Sequence, residues 1–484
     1  MWRNRSYKST AISLVLAAFS TAAAPAYSAA QMSSVQGPHE GAPLGGSSIV
    51  HSGSDFFSPA DNLADYSPGE VIDQRTIAYH IAGLPLLTDV VQIKYRSTDH
   101  DGNPTYNLTS VIKPPAHSSG RLVSLHSVYD SLDPAHSPSR AIAGDVALGL
   151  VNSYGETVSI AQMLFDGYTV AVTDIEGQDA NLFDGPTYAR LTLDGIRAAL
   201  RTPETGLTPS SPVGLTGYSG GAIASTWAAQ LAPTYAPDVN SQLVGTAAGG
   251  IPTNLMNTVR YIDGAPFWGP MTVMVLIGMA RAYDFSLDQY MSDYGQRMMR
   301  DLSRATLTEV NLSFAGINWA ALFKPEYQDP RSVPEFVDAA NRANPLLAPD
   351  PTIASFIGQA NNGTLTGTPN GPEGVGPGDG ITVTGDTRAL ANKYCGAGTP
   401  VTYKEYPILE HSTGFLAWNN DAWSWLKGRF DGVPAGSSCG SIPAGNAIAP
   451  ATPVPPAGPG AQEHPGGLAG LRDALTGHSS SGLS

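Results

Sequence analysis

The sequence predicts an α/β fold, a sheet whose strands alternate with helices, broken by one helical insertion. Three observations carry this. Short apolar runs of strand length recur, with helical stretches between most of them. One run ends in a Gly-rich turn that opens into small helix-forming residues, at 212–228 (PVGLTGYSGGAIASTWA). Between Ile251 and roughly Leu346 the alternation stops, and a helical stretch rich in Met and Tyr takes over. At 484 residues with 42% apolar content, the chain suits one large domain with insertions better than three separate ones. Only 14% of residues are charged while Gly (53) and Pro (39) are abundant, so long ordered loops and some disorder are expected.

From the start, Arg3, Arg5 and Lys8 precede an apolar segment, Ala11–Ala24. Small residues at Ala26, Ser28 and Ala30 offer a cleavage site, so residues 1–30 read as a secretory signal. The segment is short for a membrane anchor and ends at Pro25. Residues 31–66 are polar and Gly/Ser-rich, an extended arm. Strands are expected at Val90–Ser97, Tyr106–Ile112, Leu122–His126 and Tyr168–Thr173, and a helix at Arg190–Leu200. Further strands follow at Val213–Thr216, Leu243–Ala247, Ile353–Gln359 and Val401–Tyr406, with a short last helix at Asn420–Phe430. The core is thus 67–250 plus 347–433, and the helical cap is 251–346. In the cap, Pro270–Ala280 (PMTVMVLIGMA) is too short to span a membrane. It is either a buried core helix or a lid helix whose apolar face meets lipid or acyl chain. Residues 434–484 are rich in Ala, Pro, Gly and Ser, and disorder is expected beyond about residue 445.

The turn at Gly217-Tyr218-Ser219-Gly220-Gly221 is the most informative feature. A serine there sits in a strained conformation with its hydroxyl above a sheet edge. Gly217 and Gly221 let the helix approach the strand, and the Gly220 amide, at the helix start, can help hold an oxyanion. The pentapeptide alone is weak evidence. Gly436–Gly440 fits the same pattern around Ser438, with no strand before it or helix after it, and is a chance match.

A serine hydroxyl needs a base, and the base needs an acid to hold its tautomer. After a turn of this kind the chain order is Ser, acid, His. Between Ser219 and the tail stands one histidine, His411, just after the strand Val401–Tyr406. His464 and His478 lie in the tail. The acid belongs on the Gly-rich loop after Ile353–Gln359, where Asp379 stands between Gly378 and Gly380. Glu373 is the weaker candidate there, Asp386 reads as a helix N-cap, and Glu410 reads as a solvated loop residue. The loop after Leu122–His126 lacks a glycine run, so a second oxyanion amide is not visible.

The net charge of −15, more negative still without Arg3, Arg5 and Lys8, argues against nucleic acid and against anionic lipid as partners. Cys and His show no metal-ligand spacing, and no cofactor is expected. After export two cysteines remain, Cys395 and Cys439, and a disulfide is the default in an oxidising compartment. Asn107, Asn311 and Asn362 stand in N-x-S/T patterns.

LTGYSGGAIASTWAAQ, TDIEGQDA (173–180), SLHSVYDSL (124–132), AAGGIPTNL (247–255), GDGITVTGDTRALANKYC (378–395) and PVTYKEYPILEH (400–411) together resemble the secreted lipases of the Candida antarctica lipase A type. The likeness covers most of residues 70–432. It implies an α/β-hydrolase with a helical cap and a carboxylic ester substrate. The family's nucleophile falls on Ser219, its acid on Asp379 and its base on His411. An aspartate that helps form the oxyanion hole, in an S-x-x-x-x-x-D segment, falls on Asp130. Such a carboxyl is useful only when protonated, which burial favours. Two departures stand out. No cysteine lies near His136, and the run Ala360–Pro377 before the acid is longer than usual.

The expected function is a secreted serine hydrolase of lipid-like esters, acylglycerols first, with lipid-interface contact through the cap. Alternatives are an esterase or acyltransferase on another ester, such as an envelope lipid or polyester, and an inactive hydrolase fold serving as a binding protein. Acyl length and oligomeric state are not legible in the sequence.

Overall fold

The computed structural model describes residues 55–368 and 370–458. The expected signal segment 1–30, most of the arm, and the tail from 459 with His464 and His478 lie outside the described residues.

Nine strands form one sheet: β1 (Val71–Ile81), β2 (Leu84–Thr98), β3 (Pro104–Ile112), β4 (Leu122–His126), β5 (Thr169–Thr173), β6 (Val213–Tyr218), β7 (Leu243–Gly249), β8 (Ser355–Ala360) and β9 (Val401–Tyr406). Their order is β1-β2-β3-β5-β4-β6-β7-β8-β9. Pairs from β1 to β5 across β3 are antiparallel, and every pair from β5 to β9 is parallel. Sequence patterning missed β1, because its edge position leaves polar residues on both faces (VIDQRTIAYHI) and only Tyr79 fully buried. It joins β2 through Ala82-Gly83, both at positive φ (48° and 80°), the twist a two-residue hairpin turn requires.

Period-2 alternation splits the core between the two faces. Val91, Ile93, Val111, Leu122, Ala171, Val213 and Leu215 belong to one apolar cluster. Val90, Ile112, Val123, Val170 and Val172 belong to the other. Helices α1 (Gly185–Arg201) and α2 (Gly220–Tyr235) cover the first face, and α9 (His411–Phe430) covers the second through Trp423, Leu426 and Phe430.

Between β7 and β8 lies the helical stretch: α3 (Leu255–Ile262), α4 (Met271–Ala282), α5 (Asp293–Asp301), α6 (Leu307–Ser313) and α7 (Pro334–Arg342), with shorter turns between. Met271–Met279 of α4 are all buried, so its apolar surface is covered by protein. The stretch is stitched to the loop after β4. Leu307 N donates to Asp130 O (3.0 Å) and Leu132 N to Ala305 O (2.9 Å). The Arg281 guanidinium donates to the carbonyls of Leu132, Asp179, Ala180 and Ser303.

Three expectations need correction. The last helix begins at His411, not Asn420. His-Ser-Thr-Gly reads as loop by propensity, but the Glu410 carboxylate caps the helix by accepting from Thr413 N (2.6 Å) and Ser412 N (2.9 Å). The Pro/Gly-rich tail is ordered as far as it is described. Ser438 N donates to Val401 O, Asn446 N to Gly385 O, Val454 N to Arg331 O and Ala457 N to Glu326 O. It is a strap from β9 across α8 (Thr384–Gly396) to the helical stretch, held by backbone and Asn hydrogen bonds that composition does not register. Residues 55–66 of the arm are not extended either. They form two 3₁₀ turns, with Phe56 and Phe57 buried against Leu108 and Ala143.

Candidate active site

β6 ends at Tyr218, and Ser219 has φ 53° and ψ −122°. That is a costly conformation for a residue with a Cβ, held because its surroundings over-determine it. Ser219 N donates to Gly249 O at the end of β7, and α2 starts at the next residue. The approach of helix to strand leaves no room for side chains. A Cβ on Gly217 would lie 2.3 Å from Gly221 O, and one on Gly221 would lie 2.0 Å from His126 O. The Gly220 N–H is one of the unpaired donors of the first turn of α2, where the helix dipole favours negative charge.

His411, first residue of α9, meets this turn. Its Nε2 lies 2.8 Å from Ser219 Oγ, and its Nδ1 lies 2.8 Å from Asp379 Oδ2. Asp379 is fully buried and its carboxylate is saturated with donors. Oδ1 accepts from Thr382 N (2.7 Å) and Ile381 N (3.1 Å). Oδ2 accepts from Thr382 Oγ1 (2.8 Å) and Gln359 Nε2 (3.2 Å). The tight return at Gly378–Val383 supplies those amides. The backbone adds a further tie, His411 N to Asp379 O at 2.9 Å. Burial works to lower the His411 pKa, but the charge and hydrogen bond of Asp379, helped by Glu410 and Asp130, hold it above its ordinary value. Tyr218 Oη donates to His411 O (2.7 Å), and the Trp268 and His411 rings meet in a T-shaped contact with centroids 5.5 Å apart. Ser219 and His411 are both buried.

Asp130 lies on the loop after β4 at φ 38°, with its side chain against the nucleophile turn: a Cβ on Gly220 would sit 2.1 Å from Asp130 Oδ1. Burial pushes the Asp130 carboxyl up to about 6, against the pull of a charged His411. A serine joined to an imidazole that is itself joined to a carboxylate can be deprotonated as it attacks a carbonyl. A helix N-terminal amide and a neutral carboxyl beside it can receive the resulting oxyanion.

The structure thus brings Ser219, His411, Asp379, Gly220 and Asp130 together. It places the rivals elsewhere. Glu373 is exposed. Asp386 lies in the first turn of α8 and accepts from Asn257 and Asn446 rather than capping. Glu410 is buried as a helix cap, not solvated. Ser438 pairs with the edge of β9. Cys395 and Cys439 form a disulfide with Cα atoms 5.5 Å apart. Asn107 is buried and donates to Tyr95 Oη and Asp174 O. Sequence reasoning missed Gln359, Thr382 and Trp268. Thr382 was findable, because Asp-Gly-x-Thr offers an acceptor three residues before a donor. Among the described residues no group of three or more His, Cys, Asp or Glu could hold a metal, and no helix is long and apolar enough to cross a membrane.

Residues 147–335 match the model of the secretory lipase family. The chain is 29% identical to a probable inactive lipase of Mycobacterium tuberculosis over 409 residues, covering 82% of this chain and 86% of that one. It is 28% identical to lipase A of Arthroderma benhamiae over 402 residues, 79% of this chain and 80% of the relative. Among solved structures, Candida antarctica lipase A superposes with a TM-score of 0.70 at 24% identity, over 83% of this chain and 90% of that one. A cell-wall-degrading esterase of Xanthomonas oryzae superposes with a TM-score of 0.58 at 15% identity, over 76% of this chain and all of its own. The chain is thus similar to the secretory lipases, through residues 147–335 and through relatives along most of its length, and it has the α/β-hydrolase fold of Candida antarctica lipase A.

Proposed function

We propose that this protein is a secreted serine hydrolase of carboxylic esters, with lipid esters such as acylglycerols as substrates. The observation that carries it is the hydrogen-bonded chain Ser219 Oγ, His411 Nε2 and Nδ1, Asp379 Oδ2. Ser219 attacks the acyl carbonyl while His411 takes its proton. Asp379 fixes the imidazole tautomer and stabilises its cation. The Gly220 amide and the protonated Asp130 carboxyl hold the tetrahedral oxyanion. Collapse transfers the proton to the leaving alcohol and leaves an acyl-Ser219, which water, activated by His411, hydrolyses. These steps use only the chain's own residues. Residues 251–346 are the cap that shapes the acyl site.

Relatives named lipases support the lipid ester, and the net charge of −15 disfavours anionic surfaces. The second reading, an inactive member, is raised by the Mycobacterium relative named probably inactive, but here Ser, His and Asp stand in bonding contact. A fluorophosphonate probe should label Ser219 and no other serine, and a failure to label would favour the inactive reading. A chain-length series of p-nitrophenyl esters, with and without emulsified triglyceride, separates lipase from esterase. Activity confined to short soluble esters would remove acylglycerols. The signal at 1–30 predicts a mature N-terminus near Ser28–Ala30, and Edman sequencing of secreted protein tests it.

A further inference from the structure

The segment TDIEGQDA leads out of the end of β5 and takes no part in the reaction described above, yet two of its three acids grip the loop that bears Asp130. Asp174 accepts from Ser139 N (2.9 Å) and Ser139 Oγ (2.5 Å) at the far end of that loop. Glu176 accepts from Ser131 N with both oxygens, at 3.1 and 3.3 Å. Ser131 N–H and Asp130 C=O belong to one peptide plane. The other edge of that plane is held by Leu307 N, which donates to Asp130 O at 3.0 Å. Two partners on opposite edges stop that plane from rotating about the Cα–C bond of Asp130, and so fix ψ at a non-glycine residue whose φ is 38°.

Glu176 is itself immobile. It is buried, and its backbone N donates to Tyr129 Oη of the same loop. A third carboxyl, Glu156, accepts from Val128 N at 2.8 Å, on the near side of Asp130.

We propose that Glu176 is a positioning residue of the oxyanion site: by holding the Ser131 amide it locks the Asp130–Ser131 peptide and so aims the Asp130 carboxyl at the reacting carbonyl. The proposal rests on the reading that Asp130 donates to the oxyanion. Glu176 touches no reacting atom and acts only through Asp130, so its loss and the loss of Asp130 must not compound. Burial, with the Asp130 charge second, raises the Glu176 pKa well above the usual carboxyl range. Its role is to accept from the Ser131 N–H, and the carbonyl oxygen of an amide in its place can do the same.

The test is a double-mutant cycle on kcat with a soluble p-nitrophenyl ester. Glu176→Ala should lower kcat by roughly 10-fold to 100-fold with KM little changed. Asp130→Leu should lower it by about 10²–10³-fold, and the double variant should be no slower than Asp130→Leu alone. Glu176→Gln, which keeps an acceptor for the Ser131 amide, should recover most of the loss. A folded Glu176→Ala with unchanged kcat overturns the proposal, as does a double variant whose losses multiply. If Glu176→Ala does not fold, Glu176→Asp, a methylene shorter and out of reach of Ser131, takes its place in the cycle with the same two criteria. If Asp130→Leu alone leaves kcat unchanged, the donor role of Asp130 has failed and the proposal falls with it. That outcome is distinct from an active Asp130 to which Glu176 does not couple.

Discussion

The turn that carries Ser219 and the loop that carries Asp130 meet at the ends of β6 and β4, and each places a non-glycine residue at positive φ, 53° and 38°. They are held by opposite means. The serine turn is fixed by what is missing: without side chains at Gly217 and Gly221, its backbone packs directly on its own helix at Gly221 O and on the end of β4 at His126 O. The aspartate loop is fixed by what is added. Carboxyl groups from 28 and 45 residues away hold its amides, and a backbone N–H from the helical insertion holds the Asp130 carbonyl. A steric device is written in its own pentapeptide. A clamped loop exists only once distant segments have folded around it.

The largest expected effect falls on the turn. Ser219→Ala should cost on the order of 10⁶-fold in kcat and His411→Ala nearly as much, because the members act as a unit. Retention of a tenth of the wild-type rate by either would end the triad assignment. Asp379→Asn should cost about 10⁴-fold, and Asp386→Asn far less. The reverse ranking would move the acid.

Next comes the frame both sites share. The Cys395–Cys439 bridge closes a loop of sequence separation 44 that contains His411. Replacing both cysteines with serine should lower unfolding free energy by about 4 kcal/mol on the chain-entropy estimate. Denaturant titration checks this, and an unchanged midpoint would refute it.

The clamped loop is more lightly affected. Asp130→Leu should lower kcat by roughly 10²–10³-fold with acyl-chain preference intact. Because the protonated carboxyl is the donor and burial lifts its pKa to about 6, the ratio of wild-type to variant kcat should decline as pH rises past that value. A flat ratio from pH 5 to 9 would assign Asp130 a turn role only.

The smallest effect separates the two regions by stability. Burial, opposed by hydrogen bonds from Ser127 and Val128, raises Glu156 to about 8. A carboxyl with a raised folded-state pKa contributes stability below its unfolded pKa and loses it as pH rises through the folded one. Wild-type Tm should therefore fall from about pH 5 to pH 8, and Glu156→Gln should flatten that slope. Equal slopes in the two proteins would show that Glu156 does not titrate with unfolding.

What was legible in the sequence follows the same division. Ser219 and the eight strands from β2 to β9 are local patterns, and His411 had no rival between the serine turn and the tail. The edge strand β1 escaped because it buries almost nothing. The start of α9 escaped because a single glutamate cap outweighs four poor helix formers. The order of residues 434–458 escaped because it depends on partners elsewhere, such as Asn341, Gly385 and Arg331. Asp174 and Glu176 carry no local signal of their role, and only the fold discloses what they hold.

The strap also bears on when the molecule is complete. Asn341 exchanges hydrogen bonds with Ala451, 110 residues later in the chain. Synthesis proceeds from the N-terminus, so the outer surface of α7 and of residues 326–331 emerges long before the segment that covers it. The catalytic apparatus can assemble first, while the insertion above it stays partly undressed until the strap arrives. A protease that trims the strap after folding would return the insertion to that nascent state with the triad and the sheet intact.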